Sequence, residues 1–304
     1  MLEKYSKKRN QNLFKKTCRK IVATDPLDYS INPDVTVISM VGTDAIEMYL
    51  VAIKSFMRGF GSATIEAIDD GSLTPEDMHL LREHLPGIHI SKASDTNTMG
   101  CPDYISWKRL FRIIDLSQNS YVIQLDSDTV TLGTLIEVFN KAKANEGFMV
   151  ADGKWGELIN LELLHEVASR WNARHPQAMA EKELVNLEFF NKDDKYLRGC
   201  AGFAGYPRGS LSIKKVCDLS SQIENKIGRD IWSQWGSEQT ATNCLISKSN
   251  NPGALPWPKY KNYMFPPTND PFDSSSFIHF IGTTRYIDDT YSKAVLRFLD
   301  INAH

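Results

Sequence analysis

The chain has 304 residues, of which 42% are hydrophobic and 24% charged, a composition that excludes disordered, collagen-like and coiled-coil proteins. The 35 Lys and Arg residues nearly balance the 37 Asp and Glu residues, so the total charge gives no reason to expect a nucleic acid partner. Five widely spaced cysteines fit neither a disulfide framework nor a Cys-x-x-Cys metal site, and no apolar run is long enough to span a bilayer. We therefore expect a soluble protein of the cytoplasm.

The N-terminus differs from the rest of the chain, because the first 20 residues hold eight basic residues and one acidic residue. We predict a basic N-terminal arm over residues 1–30, followed by a single domain over residues 31–304. Two interpretations of the arm remain open. It is a solvated and partly disordered end, or it docks the protein on an anionic membrane surface.

Strand-like and helix-like segments alternate from about residue 34 onward, and this order predicts an α/β fold with a mainly parallel sheet. The predicted strands cover residues 35–40, 64–68, 88–90, 121–125, 147–151 and 277–281. The predicted helices cover residues 46–60, 107–114 and 158–171, and a further helix begins at residue 74. The pattern changes at residue 198, where small residues dominate, and residues 250–276 form a long polar and aromatic segment typical of binding loops.

Acidic residues follow three of the predicted strands, where Asp69, Asp126 and Asp152 stand at the carboxyl ends. Ligands of open α/β sheets bind at that edge, so we expect these carboxylates to line one crevice. Asp128 lies two residues after Asp126, and an extended backbone would project both carboxylates to one side, where they could hold a divalent cation. An acidic pair in such a place is also typical of an ordinary turn or helix cap.

The segment around this acidic pair resembles the central block of family 8 glycosyltransferases, which have the GT-A fold. The matching residues are Ser106-Trp-Lys-Arg109-Leu110 and the run from Tyr121 to Leu135, which contains Asp126-Ser127-Asp128-Thr129. The resemblance implies that Asp126 and Asp128 bind manganese and that Arg109 and Ser127 lie at the sugar nucleotide. We expect Arg109 to act on the donor and not on stability, because apolar residues already form the buried face of its helix.

A second match lies far downstream, where His279-Phe-Ile-Gly282-Thr-Thr-Arg285 resembles the C-terminal H-x-x-G-x-x-K element of the same family. By this resemblance His279 is the third metal ligand, and an imidazole ligand favours Mn²⁺ over Mg²⁺. Gly282 and Arg285 would lie at the diphosphate, with Arg285 in the place of the family's Lys. Taken alone, a histidine inside an apolar strand is more often a core residue than a ligand.

The remaining matches are less specific. Asp44 resembles the start of the family's nucleotide-contacting D-x-x-Y region, whereas Asp69-Asp-Gly-Ser72 resembles family 2 glycosyltransferases, in which the acid binds the uracil edge. The latter sequence is also typical of an ordinary turn. Asp152 matches an acid that binds sugar hydroxyls in family 8, and Glu238-Gln239 resembles its downstream D-Q region. The resemblance thus makes Asp152, Glu238 and Gln239 the candidate catalytic residues.

Taken together, the resemblance implies a metal-dependent hexosyltransferase that moves a sugar from a nucleoside diphosphate donor, expected to be a UDP-sugar, to a hydroxyl group of a saccharide or other acceptor. Mn²⁺ is the expected cofactor and Mg²⁺ the alternative, and loops over 153–200 and 250–276 are expected to select the acceptor. The His279 element favours retention of anomeric configuration, whereas the turn at Asp69 resembles inverting enzymes. Two other functions remain open, a phosphatase of the haloacid dehalogenase class with Asp126 as nucleophile and a GT-A scaffold without activity.

Overall fold

The computed structural model describes residues 2–264, 270–282 and 284–301, and their strands and helices alternate much as the sequence predicts. The strands are β1 (Val35–Val41), β2 (Thr64–Asp69), β3 (His89–Lys92), β4 (Tyr121–Leu125), β5 (Thr129–Thr131), β6 (Phe148–Val150), β7 (Ile159–Asn160), β8 (Lys195–Tyr196), β9 (Cys200–Tyr206), β10 (Gly253–Ala254), β11 (Tyr260–Asn262) and β12 (Phe277–His279). The helices are α1 (Leu2–Cys18), α2 (Ile46–Phe60), α3 (Pro75–His84), α4 (Ile105–Leu116), α5 (Ile136–Ala144), α6 (Leu161–Ser169), α7 (Pro176–Glu183), α8 (Ile213–Ile227), α9 (Arg229–Trp232), α10 (Ser237–Ser247) and α11 (Thr290–Ile301).

The central sheet has seven strands in the order β10-β6-β9-β4-β1-β2-β3. All neighbouring pairs are parallel except those of β9, which runs antiparallel to both β4 and β6. The predicted α/β fold with a mainly parallel sheet is therefore confirmed. Because β1, β2, β4 and β6 point the same way, the loops that follow them meet at one edge of the sheet.

Strand β9 was not predicted, because its residues are mostly Ala and Gly, which are rare in strands. The neighbouring strands explain why small residues occupy this central position. A Cβ atom on Gly205 would lie 2.2 Å from the Tyr121 hydroxyl oxygen and 2.3 Å from Phe148 Cε1. The large side chains of β4 and β6 thus fill the space that a side chain on β9 would need.

The two faces of the central sheet carry separate apolar cores, as the alternation of side chains along a strand requires. In β1, Val37 belongs to the core that includes α2, and Ile38 belongs to the core that includes α4. The predicted apolar face of α4 is buried as expected, but Arg109 on the same helix is also only 7% exposed. This burial contradicts the expectation that Arg109 lies outside the packed part of the helix.

A second sheet of three strands, in the order β11-β12-β5, joins distant parts of the chain. Strand β5 follows β4 closely and pairs antiparallel with β12, so that Thr129 lies opposite His279. Strands β10 and β11 lie within 250–276, which we predicted to be a loop; residues 265–269 of that segment lie outside the described residues. The second sheet brings the end of β12 beside the turn that follows β4.

The N-terminal segment is helical and packed, which contradicts the expectation of a solvated and partly disordered end. Phe14 is only 4% exposed, and its ring centroid lies 4.0 Å from that of Tyr291 on α11. Asn10 Nδ2 donates hydrogen bonds of 3.2 Å to the carbonyl oxygens of Tyr286 and Ile287. Helix α1 is therefore part of the packed structure. Within the described residues, no helix has the length and apolar character needed to cross a bilayer.

Candidate active site

Two carboxylates and one imidazole meet beyond the carboxyl end of β4. Asp126 and Asp128 follow this strand, and His279 is the last residue of β12. One ligand atom from each of the three residues lies within 4.8 Å of the other two. His279 Nε2 is 3.1 Å from Asp128 Oδ1 and 4.0 Å from Asp126 Oδ2. The three residues predicted as metal ligands therefore form one cluster, although 151 residues separate His279 from Asp128.

The His279 ring is held in place from its other side. Its Nδ1 atom lies 2.9 Å from Asn262 Oδ1 and 3.4 Å from Cys200 Sγ. Gly202 leaves space for the ring, because a Cβ atom on this residue would lie 2.3 Å from His279 Cε1. An N–H on Nδ1 that donates to Asn262 leaves Nε2 as the metal-binding nitrogen. The neighbours of the ring thus favour the tautomer that a metal ligand needs.

Each carboxylate of the cluster also has an arginine partner. Arg109 Nη1 lies 2.5 Å from Asp126 Oδ1, and Arg285 Nη2 forms an ion pair with Asp128 Oδ2. Burial would raise the pKa of Asp128, but the charges of His279 and Arg285 lower it to about 2. Burial would lower the pKa of His279, but the Asp128 carboxylate raises it well above its usual range. The charged neighbours of Asp128 thus hold its carboxylate in the ionised form.

This set of donor atoms fits a divalent metal ion. Two carboxylate oxygens and one imidazole nitrogen converge, and two of the three side chains are nearly buried, with Asp128 at 6% and His279 at 4% exposure. Manganese accepts both oxygen and imidazole ligands, whereas magnesium prefers oxygen ligands alone. The residues present therefore suit the predicted metal.

Glu238 lies in the first turn of α10, and its carboxyl group is close to the guanidinium group of Arg109. Its Oε1 atom lies 3.8 Å from Arg109 Nη2 and 3.5 Å from Thr242 Oγ1. Burial raises the pKa of Glu238 to about 7, although the nearby charge of Arg109 opposes this shift. Arg109 therefore lies between two acids, of which Glu238 takes up a proton near neutral pH.

We expect the raised pKa of Glu238 to make the protein less stable as the pH rises. The group titrates near 4.5 in the unfolded chain and near 7 in the folded protein, so the folded state binds more protons in this interval. The free energy of unfolding should therefore fall by roughly 3 kcal/mol across that interval. Urea unfolding of the metal-free protein at several pH values should show this decline, and Glu238→Gln should lack it. Parallel pH profiles for the two proteins would contradict the assignment.

A cavity of about 540 Å³ opens above the cluster. It is lined by nine of the twelve residues that we predicted for the site, namely Asp126, Asp128, His279, Arg109, Arg285, Gly282, Asp152, Glu238 and Gln239. Asp152 accepts a hydrogen bond of 2.8 Å from the backbone N–H of Lys154, and Gln239 accepts one of 3.2 Å from the N–H of Ala201. The crevice expected at the carboxyl edge of the sheet is present, with Asp126 and Asp152 among its walls.

The other three predicted residues do not line this cavity. Asp69 Oδ1 accepts hydrogen bonds from the backbone N–H groups of Gly71 and Leu73, at 2.8 and 3.1 Å, so its carboxylate caps the turn after β2. Asp44 is exposed in a short 3₁₀ helix over Thr43–Ala45. Ser127 lies in the turn between Asp126 and Asp128. At Asp69 the geometry is that of the ordinary turn that the sequence also allowed.

Several residues that shape the site could not be selected from the sequence. Asn262 and Cys200 contact the His279 ring, and Gln177 accepts a hydrogen bond of 2.9 Å from Gln239 Nε2. Arg198 lines the cavity as well. Gln177 and Arg198 fall within 153–200 and Asn262 within 250–276, the two segments expected to serve binding. The sequence therefore predicts the two segments in which these residues lie, but it does not predict their individual contacts.

The fold is that of the GT-A glycosyltransferases. Galactosyltransferase LgtC, solved with donor and acceptor sugar analogues, is similar with a TM-score of 0.51 and 13% identity, over 86% of this chain and 95% of that one. The bifunctional glycosyltransferase WbbM is similar with a TM-score of 0.51 and 16% identity, over 90% of this chain and 50% of that one. Mouse xyloside xylosyltransferase 1 is similar with a TM-score of 0.50 and 12% identity, over 84% of this chain and 99% of that one. No family model and no curated protein matches the chain.

This fold disagrees with the haloacid dehalogenase alternative. That class begins its core with the strand that carries the nucleophile, whereas here β1, β2 and β3 precede β4 along the chain. Both carboxylates that follow β4 are also paired with arginines. The position and partners of Asp126 are therefore not those expected of the phosphatase nucleophile.

Proposed function

We propose that the protein transfers a sugar from a nucleoside diphosphate donor, with UDP-sugars as the first choice, to a hydroxyl group of a saccharide or another acceptor. The cluster of Asp126, Asp128 and His279 at a cavity of a GT-A fold is the observation that carries this proposal. The similar solved structures are glycosyltransferases. The motifs at these three residues further support a relationship to family 8.

Asp126, Asp128 and His279 would hold Mn²⁺, or Mg²⁺ as the alternative. The metal would act as a Lewis acid that neutralises charge on the departing diphosphate. Arg109 and Arg285 supply further positive charge beside the cluster, and a diphosphate offers both guanidinium groups strong acceptors. Arg109 Nε is buried and has no hydrogen-bond partner among the described residues.

Asp152, Glu238 and Gln239 would bind the hydroxyl groups of the transferred sugar. All three line the same cavity as the metal cluster, and this shared lining supports the proposed role. Gln239 is fixed by hydrogen bonds to the backbone of Ala201 and to Gln177, at 3.2 and 2.9 Å. The cavity lining does not include Asp44, Asp69 or Ser127. Their contacts with the nucleotide stay predictions.

A thermal-shift experiment with UDP, GDP, CDP and phosphate, each with Mn²⁺, Mg²⁺ or EDTA, tests this proposal. A ligand at 100 times its Kd stabilises the folded state by about 2.7 kcal/mol. We expect UDP with Mn²⁺ to stabilise the protein, and UDP with EDTA to have no effect. Stabilisation by phosphate and Mg²⁺ alone would favour the phosphatase. Failure of every nucleotide would favour the inactive scaffold.

We further propose that the anomeric configuration of the donor is retained in the product. The location of His279 in the metal cluster agrees with the family 8 element, whose members retain configuration. Inversion would instead need a carboxylate that deprotonates the acceptor, and Glu238 has a pKa suited to that task. Proton NMR of the first product should show an α-linked sugar from an α-linked donor. A β-linked product, together with an inactive Glu238→Gln variant, would make Glu238 the general base of an inverting enzyme.

We propose that the basic residues of α1 and of the 3₁₀ helix that follows it contact an anionic membrane surface, at the cytoplasmic side. Seven basic residues of this segment are exposed: Lys7, Lys8, Arg9, Lys15, Lys16, Arg19 and Lys20. No acidic residue lies between Tyr5 and Thr24. Tyr5 and Leu13, with exposures of 69% and 43%, add apolar surface to the same helix. Basic helices with such apolar residues bind anionic lipid surfaces with about 1 kcal/mol per basic residue.

We expect the protein to sediment with vesicles that contain phosphatidylglycerol and not with vesicles of phosphatidylcholine alone. High salt should weaken this binding, because the interaction is electrostatic. The double variant Lys15→Glu/Lys16→Glu should lose most of it, whereas Lys215→Glu/Lys226→Glu, a matched double change at exposed positions of α8, should not. Equal sedimentation of all three proteins would contradict a role for α1.

A further inference from the structure

A large aromatic side chain is exposed at the cavity that holds the proposed donor site. Trp235 lies in the connection between α9 and α10, three residues before Glu238, and its side chain lines the cavity. The residue is 76% exposed, whereas Asp128 and His279 at the metal cluster are only 6% and 4% exposed. Trp235 therefore lies on the open, solvent-facing part of the cavity wall.

The backbone that carries Trp235 is held firmly by the three residues that follow it. Gly236 has a φ angle of +99°, and a Cβ atom on it would lie 2.5 Å from His175 Cε1, so a side chain would clash. The next residue, Ser237, is fully buried and accepts a hydrogen bond of 2.9 Å from Trp107 Nε1. The backbone N–H of Glu238 donates a hydrogen bond of 3.0 Å to the Tyr104 hydroxyl oxygen. The indole is thus presented from a fixed position.

Fixed polar groups line the same cavity. Gln177 Nε2 donates a hydrogen bond of 2.8 Å to buried Glu181, and its Oε1 accepts one of 2.9 Å from Gln239. Arg198 donates from Nε to Glu181 Oε1 at 3.0 Å, and its guanidinium carbon lies 4.9 Å from the ring centroid of Trp155. These contacts hold an amide and a guanidinium group at defined positions. The cavity lining near Trp235 therefore includes polar groups that are held at fixed positions.

We propose that Trp235 is the stacking platform of the acceptor site and that the acceptor is a saccharide. A pyranose has an apolar face of C–H bonds that packs on an indole ring and an edge of hydroxyl groups that needs fixed polar partners. An acyl chain or an apolar peptide would cover the guanidinium group of Arg198 without offering it a hydrogen-bond acceptor. The donor would occupy the buried part of the cavity at Asp126, Asp128 and Arg109. This inference rests on the proposed glycosyl transfer and identifies the class of its acceptor.

Binding to an array of immobilised saccharides, in the presence of UDP and Mn²⁺, tests this inference. We expect the wild-type protein to retain at least one saccharide. Trp235→Ala should weaken that binding by about tenfold, the scale of a lost aromatic stack, and Trp235→Phe should preserve most of it. Trp257→Ala is the matched control, because Trp257 is also exposed, at 52%, but does not line the cavity.

The thermal shift with UDP and Mn²⁺, measured on the same proteins, separates this inference from the proposed function. All three variants should keep that shift, because none changes a residue at the metal cluster. Saccharide binding that is unchanged in Trp235→Ala would overturn the stacking role. An intact shift with no saccharide retained by the wild-type protein would overturn the saccharide acceptor, whereas absence of the shift in the wild-type protein would refute the donor site itself.

Discussion

Asp126→Asn should abolish the Mn²⁺-dependent stabilisation by UDP and leave the protein folded. Asp126 supplies one of the three converging ligand atoms, and its side chain is 28% exposed, so the change should cost little in packing. At a UDP concentration 100 times the wild-type Kd, the variant should lose the whole stabilisation of about 2.7 kcal/mol. Thermal shift with and without Mn²⁺ measures this loss. Asp218→Asn, at an exposed acid of α8, is the control, and unchanged nucleotide affinity in Asp126→Asn would contradict the metal assignment.

Asp128→Asn should behave differently from Asp126→Asn. Asp128 is only 6% exposed and lies between His279 and Arg285. Removal of one partner from a buried ion pair typically costs about 3–5 kcal/mol. The metal-free Asp128→Asn protein should therefore melt at a lower temperature than either wild type or Asp126→Asn. Equal melting temperatures would show that the pairs of Asp128 contribute nothing to stability.

Arg109→Lys should lower the rate of sugar transfer by about 10² to 10³, the usual effect of losing one preorganised charge contact. The guanidinium group lies between Asp126 and Glu238, at 2.5 and 3.8 Å, and a lysine cannot contact both acids and the donor at once. Because Arg109 is buried, Arg109→Ala should also lower stability, which differs from our expectation from the sequence. The rate of donor hydrolysis measures the effect on catalysis, and the melting temperature measures the effect on stability.

The matched control is Arg112→Lys, one turn further along α4. Arg112 pairs with Glu66, with an Nε to Oε1 distance of 2.7 Å, and does not line the cavity. Arg112→Lys should therefore keep the wild-type rate. If Arg109→Lys also keeps the wild-type rate while its melting temperature falls, the pair of Arg109 and Asp126 serves structure and not catalysis.

The sequence predicts the parts of the fold whose residues have a regular apolar pattern. Strand β4 begins and ends as expected. Helix α3 begins at Pro75, directly after the predicted Thr74, which is its N-cap and exchanges a reciprocal pair of hydrogen bonds with Asp77. Strand β9 lacks such a pattern, because the reason for its small residues lies in Tyr121 and Phe148 on neighbouring strands. Packing between strands far apart in the sequence cannot be read from local periodicity.

The candidate site also contains residues that could be predicted from the sequence and residues that could not. Asp126, Asp128 and His279 could be predicted because they stand in short motifs, and the structure brings them together. Asn262 and Gly202 could not, since their roles depend on the position of the His279 ring. The burial of Arg109 was also missed, because an arginine on an amphipathic helix is normally placed on the exposed face. Its two acidic partners lie directly after β4 and in α10, and the helix pattern does not reveal them.

A crystal structure of the protein with UDP and Mn²⁺, recorded with anomalous diffraction, tests the central claim most directly. The account predicts one manganese peak within bonding distance of Asp126, Asp128 and His279, with the diphosphate on the side of Arg109 and Arg285. A manganese peak that is absent from this cluster while UDP is bound, or a nucleotide bound outside the cavity, would contradict it.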